Sequence, residues 1–234
     1  MAVVVDSSTP ARVTNAGTSG TITTGSFSPP AAVLVVYTGR DTNVDTVISN
    51  TGPTLTWEPI GQRDSDDVGG RSGGVDAHYA VLSAPATGMT VTTTIAAAQQ
   101  LSAQVYVLTG VDTADPIGGY AEGSNPVAAF TTDAFTTELA DSLGIFGLND
   151  WTPRGAVTSD DTTFSAYLTA GQQGGGSGYK TLGAAGSSAT FNVSIDGTAT
   201  PENNWLSFEV RGAATTPVVE DPPVYLRRVA PARR

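Results

Sequence analysis

Apolar runs of about five to nine residues recur along the whole chain, cut apart by Gly, Pro, Asn, Asp and Ser. The three- and four-residue spacing of an amphipathic helix is almost absent. A chain patterned this way buries its apolar side chains by pairing short strands, and the class it specifies is all-β: an antiparallel, jelly-roll-like β-sandwich. The clearest expected strands are Ala32–Thr38, Leu55–Gln62, Val75–Leu82, Met89–Ile95, Ser102–Thr109, Ser142–Leu148, Phe164–Thr169, Ala189–Ile195 and Trp205–Arg211. Thr21–Thr24 and Val127–Phe130 are weaker ones.

Several of these runs alternate. Met89, Val91, Thr93 and Ile95 face one way and Thr90, Thr92 and Thr94 the other, while Phe191, Val193 and Ile195 alternate with Asn192 and Ser194. A period of two places one face in a core and the other in solvent. The run Val33-Leu34-Val35-Val36-Tyr37 is apolar throughout and reads as a central strand covered on both faces. Arg63–Gly74 and Gly171–Gly178 are polar and rich in glycine, so both are expected to project as loops too flexible to pack. No exact internal repeat is visible. One sandwich domain is expected over residues 1–212, with 213–234 forming a proline-containing linker and a C-terminal arm.

Composition removes several chemistries. The chain has 234 residues and no cysteine, which excludes a disulfide scaffold, thiolate catalysis and Cys-based metal sites. With His78 as the lone histidine, a poly-His metal site within one chain is excluded too. No apolar run approaches the roughly 20 residues of a membrane-spanning helix, so no membrane insertion is expected. Met1 leads into Val3, Val4 and Val5 without the basic start of a secretory signal. No cofactor is implied, and a non-enzymatic role is expected.

Charge divides the chain in two. The net charge is −11, but Glu220 and Asp221 stand against Arg227, Arg228, Arg233 and Arg234, so residues 220–234 carry +2 and the preceding residues −13. An acidic body with a small basic arm suits self-association or docking on a neighbour, and not nucleic acid, which requires a broad basic face. In the arm, Tyr225, Leu226 and Val229 offer apolar anchors, and Arg227, Arg228, Arg233 and Arg234 can reach acidic rims.

Other constellations point to bland roles. His78 lies on an alternating strand with Asp76 and Ala80 on its face; without a nucleophile motif it reads as a solvated strand histidine. Asp64-Ser65-Asp66-Asp67 and Asp160-Asp161 lack the glycine and glutamate of a calcium loop and read as solvated loops. Asn192-Val193-Ser194 matches a glycosylation sequon by coincidence. Trp57 and Trp205 fall on strands and are assigned to the core. Trp151, in Asn149-Asp150-Trp151-Thr152-Pro153, reads as a loop residue that either packs on the sandwich end or stacks on a sugar ring.

The segments MAVVVDSSTPARVT, TITTGSFSPPAAVLVVYTG, LTWEPIGQR, HYAVLSAPATGMTVTTT and AQVYVLTGVDTADPIGG together resemble a β-sandwich domain common in structural proteins of actinobacteriophages. The resemblance covers roughly residues 1–211 and brings no catalytic motif with it. The arginine bias agrees with a GC-rich source, since Lys180 is the one lysine among eleven basic residues. The resemblance implies a minor tail or other virion protein, assembled in the cytoplasm of a bacterial host, with copies of itself and neighbouring virion proteins as partners. Within that class the alternative is a capsid decoration protein or head fibre. From a different class comes a carbohydrate-binding module for a host cell-surface glycan. A cell-wall hydrolase lacks any recognisable nucleophile, metal cluster or acid pair.

Overall fold

The computed structural model describes residues 1–15, 19–65, 73–96, 99–125, 127–150, 157–159, 163–169, 173–195 and 203–214. They form strands and connections only, so the all-β expectation is met. The first half contributes β1 (Val4–Val5), β2 (Val13–Thr14), β3 (Thr21–Thr23), β4 (Ala32–Arg40), β5 (Val47–Asn50), β6 (Glu58–Asp64), β7 (Gly74–Leu82), β8 (Val91–Thr94) and β9 (Leu101–Thr109). The second half contributes β10 (Ile117–Asn125), β11 (Ala129–Thr131), β12 (Phe135–Thr136), β13 (Leu143–Asp150) and β14 (Val157–Thr158). It continues with β15 (Thr163–Thr169), β16 (Gln173–Thr181), β17 (Ser188–Ala189), β18 (Asn192–Ile195) and β19 (Asn203–Val210).

All the pairings are antiparallel and build two large sheets. The first runs β1-β9-β4-β7-β6, with β2 also on β9; the second runs β10-β19-β13-β16-β15. These two sheets lie face to face over a shared core of Val33, Val35, Tyr37, Tyr106 and Leu108 against Leu143, Ile145, Leu206, Phe208 and Val210. Each also needs a cover for its outer face. The small sheet β3-β8-β5 closes Leu34, Val36, Val105 and Val107 beneath Ile22, Met89 and Val91. In the second half β11-β18-β14 and the pair β12-β17 cover Phe146, Leu148 and Trp205 with Phe135, Phe191, Val193 and Ile195. Strand β4 is buried along its whole length, as its unbroken apolar run predicts, and β13 and β19 are buried likewise.

The two halves repeat one topology. Substituting β10 for β1 and β2, β19 for β9, β13 for β4, β16 for β7 and β15 for β6 converts the first strand order into the second; β11-β18-β14 likewise replaces β3-β8-β5. The repetition reaches single hydrogen bonds. Thr24 Oγ1 accepts from Val91 N at 3.0 Å, and Thr132 Oγ1 accepts from Phe191 N at 2.9 Å. Ile95 N donates to Gly20 O at 2.8 Å and Ile195 N to Ala128 O at 2.7 Å. The bridge Phe27–Met89 has its counterpart in Phe135–Ala189. In sequence the relation survives as Thr23-Thr24 with Phe27 against Thr131-Thr132 with Phe135, too little to announce a repeat.

The glycine-rich stretch beginning at Gly171 corrects the sequence reading. Residues 173–181 form not a projecting loop but β16, hydrogen-bonded between β13 and β15, with Gly174 to Gly178 buried. Aromatic rings lie where its side chains would stand. A Cβ at Gly178 would come 2.9 Å from the Phe164 ring, one at Gly175 2.8 Å from Tyr167 Oη, and one at Gly176 would fall inside the Phe164 ring's contact distance. The glycines weaken β16 as a strand but admit Phe164 and Tyr167 across it. Other boundaries moved by a few residues: the strand expected at Leu55–Gln62 is Glu58–Asp64, and the Val47–Asn50 and Ile117–Asn125 strands were not foreseen. Gly176→Val should lower stability by about 1–3 kcal/mol through overpacking, read as a lower urea midpoint at unchanged slope; an unchanged midpoint would mean that Phe164 does not fill this space.

Candidate functional site

Strand β4 ends with a charge in the interior. Arg40 is fully buried, and its guanidinium is met on each side. Its Nε donates to Asp76 Oδ2 at 2.9 Å, its Nη1 to Thr42 O at 2.6 Å, and its Nη2 pairs with Asp64 Oδ1 at 2.7 Å. Thr46 Oγ1 donates to the other Asp76 oxygen at 2.7 Å. The register of β4 on β7 sets Thr38 opposite Asp76, so two residues 36 positions apart are brought together on one face. Segment 41–46, leading from β4 to β5, supplies Thr42 and Thr46, and β6 supplies Asp64.

His78 shares the face of Asp76 and Ala80, as its alternation predicts, but it is not solvated. Its side chain is 17% exposed, with Nδ1 3.6 Å from Asp76 Oδ1. Burial works against the Asp76 charge; the adjacent His78 ring, Arg40 and Thr46 outweigh it and hold the carboxyl below its ordinary value. Asp64 also departs from expectation. It sits in β6 and closes on Arg40, while Ser65 N donates to Gly73 O at 2.8 Å, so the stems of the 63–74 loop are fixed by bonding.

The same end of the molecule is tied across the two large sheets. Asn149 Nδ2 donates to Arg40 O at 3.0 Å, and Tyr167 Oη donates to Asn149 Oδ1 at 2.5 Å. Arg12 reaches from β2's edge to Ser102 Oγ at 3.0 Å and Ser177 Oγ at 2.5 Å, its guanidinium 5.3 Å from the centre of the Tyr167 ring. Burial pushes the phenols of Tyr106, to about 12, and of Tyr167 upward, so both stay protonated. On the opposite side Arg63 Nε donates to Ser124 Oγ at 3.0 Å, linking β6 to β10.

A second buried charge lies toward the other end. Glu209, fully buried on β19, accepts from Glu138 N at 2.7 Å, Leu139 N at 3.1 Å and Gly119 N at 3.3 Å. Its carboxylate pins the segment before β13 and the irregular start of β10. Arg211 beside it pairs with Asp115 and Glu138.

Comparison with family models, with curated proteins and with solved structures finds no match. Among the described residues, no cluster of three or more His, Asp and Glu side chains is placed to hold a metal, and no helix is long and apolar enough to cross a membrane. An open groove of about 610 Å³ crosses the outer sheet of the second half, lined by Ala129, Phe130, Thr131, Thr158, Asn192, Val193 and Ser194. Thr131 Oγ1 donates to Asn192 Oδ1 there at 2.9 Å.

The residues singled out by sequence fall into three groups. Trp205 is core, 2% exposed, and Trp57 is half-buried just before β6, its indole donating to Asn50 Oδ1 at 3.1 Å. Trp151, the arm residues Tyr225, Leu226, Arg227, Arg228, Val229, Arg233 and Arg234, and the acids Asp66, Asp67, Asp160 and Asp161 lie outside the described residues. Arg40 and Glu209 are the polar residues that sequence reasoning missed. The available signal was a charge adjoining an otherwise apolar buried run.

Two outcomes follow. Arg40→Met should cost about 3–5 kcal/mol, because Asp76 is left as an uncompensated buried charge, and adding Asp76→Leu should recover much of the loss. Equal instability of the single and double variants in urea would refute the pairing account. Asp41, 5% exposed with an unpartnered buried oxygen, is pushed up to about 6 by burial. A carboxyl raised in the fold costs stability when ionised, so the penalty is full above pH 6 and fades as pH falls toward 3.8. Asp41→Asn should therefore gain roughly 1–3 kcal/mol near neutral pH and little near pH 4; a pH-independent difference would contradict this origin.

Proposed function

We propose that this chain is a non-enzymatic structural subunit of a bacteriophage virion, a minor tail protein that joins copies of itself and neighbouring virion proteins partly through its C-terminal arm. The observation that carries the reading is where the buried charges end. Arg40 ends on Asp76, Asp64 and the Thr42 carbonyl, Asp76 on Arg40 and the Thr46 hydroxyl, and Glu209 on three backbone amides, so each ties one segment of the chain to another. Buried charge used this way is a fixture of the scaffold.

The polarity of the body supports the same role. The strand ends flanking residues 66–72, 151–156, 170–172 and 196–202 lie at the pole of Arg40 and Asn149. The N-terminus, the link between the halves and the exit to residue 214 meet at the other pole. A body built so puts the root of the arm at the pole opposite these strand ends. The resemblance of residues 1–211 to actinobacteriophage sandwich domains points the same way.

A carbohydrate-binding module for a host-surface glycan is the second reading. The groove on the outer sheet favours it, because Thr131, Thr158, Asn192 and Ser194 offer hydroxyl and amide groups beside the Phe130 ring. Electron microscopy of gold-labelled virions separates the possibilities. Label on the tail is the expected result, label on the capsid would indicate a decoration protein or head fibre, and particles without label would overturn the virion reading. Deleting residues 220–234 should leave the unfolding transition in place and abolish incorporation into particles; normal incorporation would remove the arm from the account.

A further inference from the structure

The pole at which the chain leaves the body is both apolar and acidic. Val111 and Gly212 pair as a bridge, Ala213 N donates to Gly110 O at 2.7 Å, and the Met1 ammonium donates to Ala213 O at 2.7 Å. Beside this junction a groove of about 260 Å³ opens at the ends of β4, β7 and β9, lined in part by Ala32, Val33, Leu82, Leu108 and Val111. A second hollow of about 220 Å³ continues from it, sharing Val81, Leu82 and Ser83. Val4, paired with Thr109 at the groove edge, is 55% exposed. The acids outside the core at this pole are Asp112, between the lining residues Val111 and Thr113, with Asp115, Glu138 and Asp141, while Glu209 is buried nearby. The cations facing them among the described residues are Arg211, already held by Asp115 and Glu138, and the Met1 ammonium, held by Ala213 O.

We propose that this groove receives residues 224–229 of the arm of a second copy of the chain, an assignment that rests on the arm's role in assembly. Tyr225, Leu226 and Val229 supply apolar side chains for the hollow, and Arg227 and Arg228 lie between them in sequence, matching the acidic rim in charge. Residues 215–224 separate the root from Tyr225, and a chain of that length spans at most about 35 Å when fully extended, enough to reach a neighbouring copy.

The test replaces Tyr225 in the full-length chain with the photo-crosslinking residue p-benzoylphenylalanine and mixes ordinary with ¹⁵N-labelled protein before irradiation. Mass spectrometry should find mixed-isotope crosslinks from position 225 to residues 81–83 or 109–113. Crosslinks within single chains only, crosslinks to other surfaces, or none at all would overturn the assignment. Thr113→Arg, at an exposed rim position, should weaken self-association about tenfold or more in sedimentation equilibrium, and unchanged association would count equally against it. If removing 220–234 blocks assembly but the crosslinks fall elsewhere, the groove is wrong and the arm's role stands. If the truncated chain assembles normally, the arm's role itself fails.

Discussion

Everything in this fold depends on two large sheets being packed face to face. A sheet that buries its inner face against another sheet still has an outer face, and here both outer faces carry large apolar residues: Leu34, Val36 and Val105 on one, Phe146, Leu148 and Trp205 on the other. Those faces must be covered, and the small sheets cover them. The four-layer arrangement thus follows from the apolar content of both faces of β4 and β13. Fit at the centre comes from unequal partners. Tyr37 on β4 lies over Gly147 on β13, where a Cβ would enter the tyrosine ring, and Asn149 lies over Gly39, where a Cβ would come 3.1 Å from the amide oxygen. Each large residue occupies the space its glycine partner leaves.

The repeated topology explains where polar groups entered. Tyr37 and Gly147 occupy equivalent places in the two halves, as do Gly39 and Asn149, so the central contact is made by corresponding positions that carry a large residue in one half and glycine in the other. The same alignment sets Arg40 against Asp150 and Val107 against Glu209. One half therefore keeps an aliphatic residue where the other buries a carboxylate. Glu209 then recruits three backbone amides, and that bonding makes its burial tolerable. The buried polar groups thus sit at equivalent positions where the two halves carry different residues.

Much of the fold was legible in the sequence, because period-two alternation is a local property. Met89, Val91, Thr93 and Ile95 are all buried, and so are Phe191, Val193 and Ile195. The continuous run in β4 correctly indicated a strand covered twice. What failed was every feature whose cause lies elsewhere in the chain. A glycine stretch looks like a loop unless one knows that Phe164 and Tyr167 lie across it. Strand β10, with Gly118 and Gly119 at its start, has the same difficulty, since a Cβ at Gly119 would press on Phe135. Arg40 and Asp76 meet only through the register of β4 on β7, which no local window contains. The four-layer stacking was hidden for a similar reason, because alternation shows that a face is buried but not what buries it.

With the central parts of both large sheets covered on both sides, the assembly proposed above would have to use edges, poles and loops. An acidic body adds a second constraint: residues 1–219 carry −13, so copies brought together repel one another unless positive charge lies between them. Enlarging a globular interface would bury more carboxylates and raise that cost. A short segment bearing arginines among apolar residues meets both demands, since it supplies countercharge at the contact and buries apolar surface without reshaping either body. The electrostatic part of such a contact weakens as salt rises, whereas its apolar part does not. In the proposed contact, the balance of the two would set how its strength varies with ionic strength.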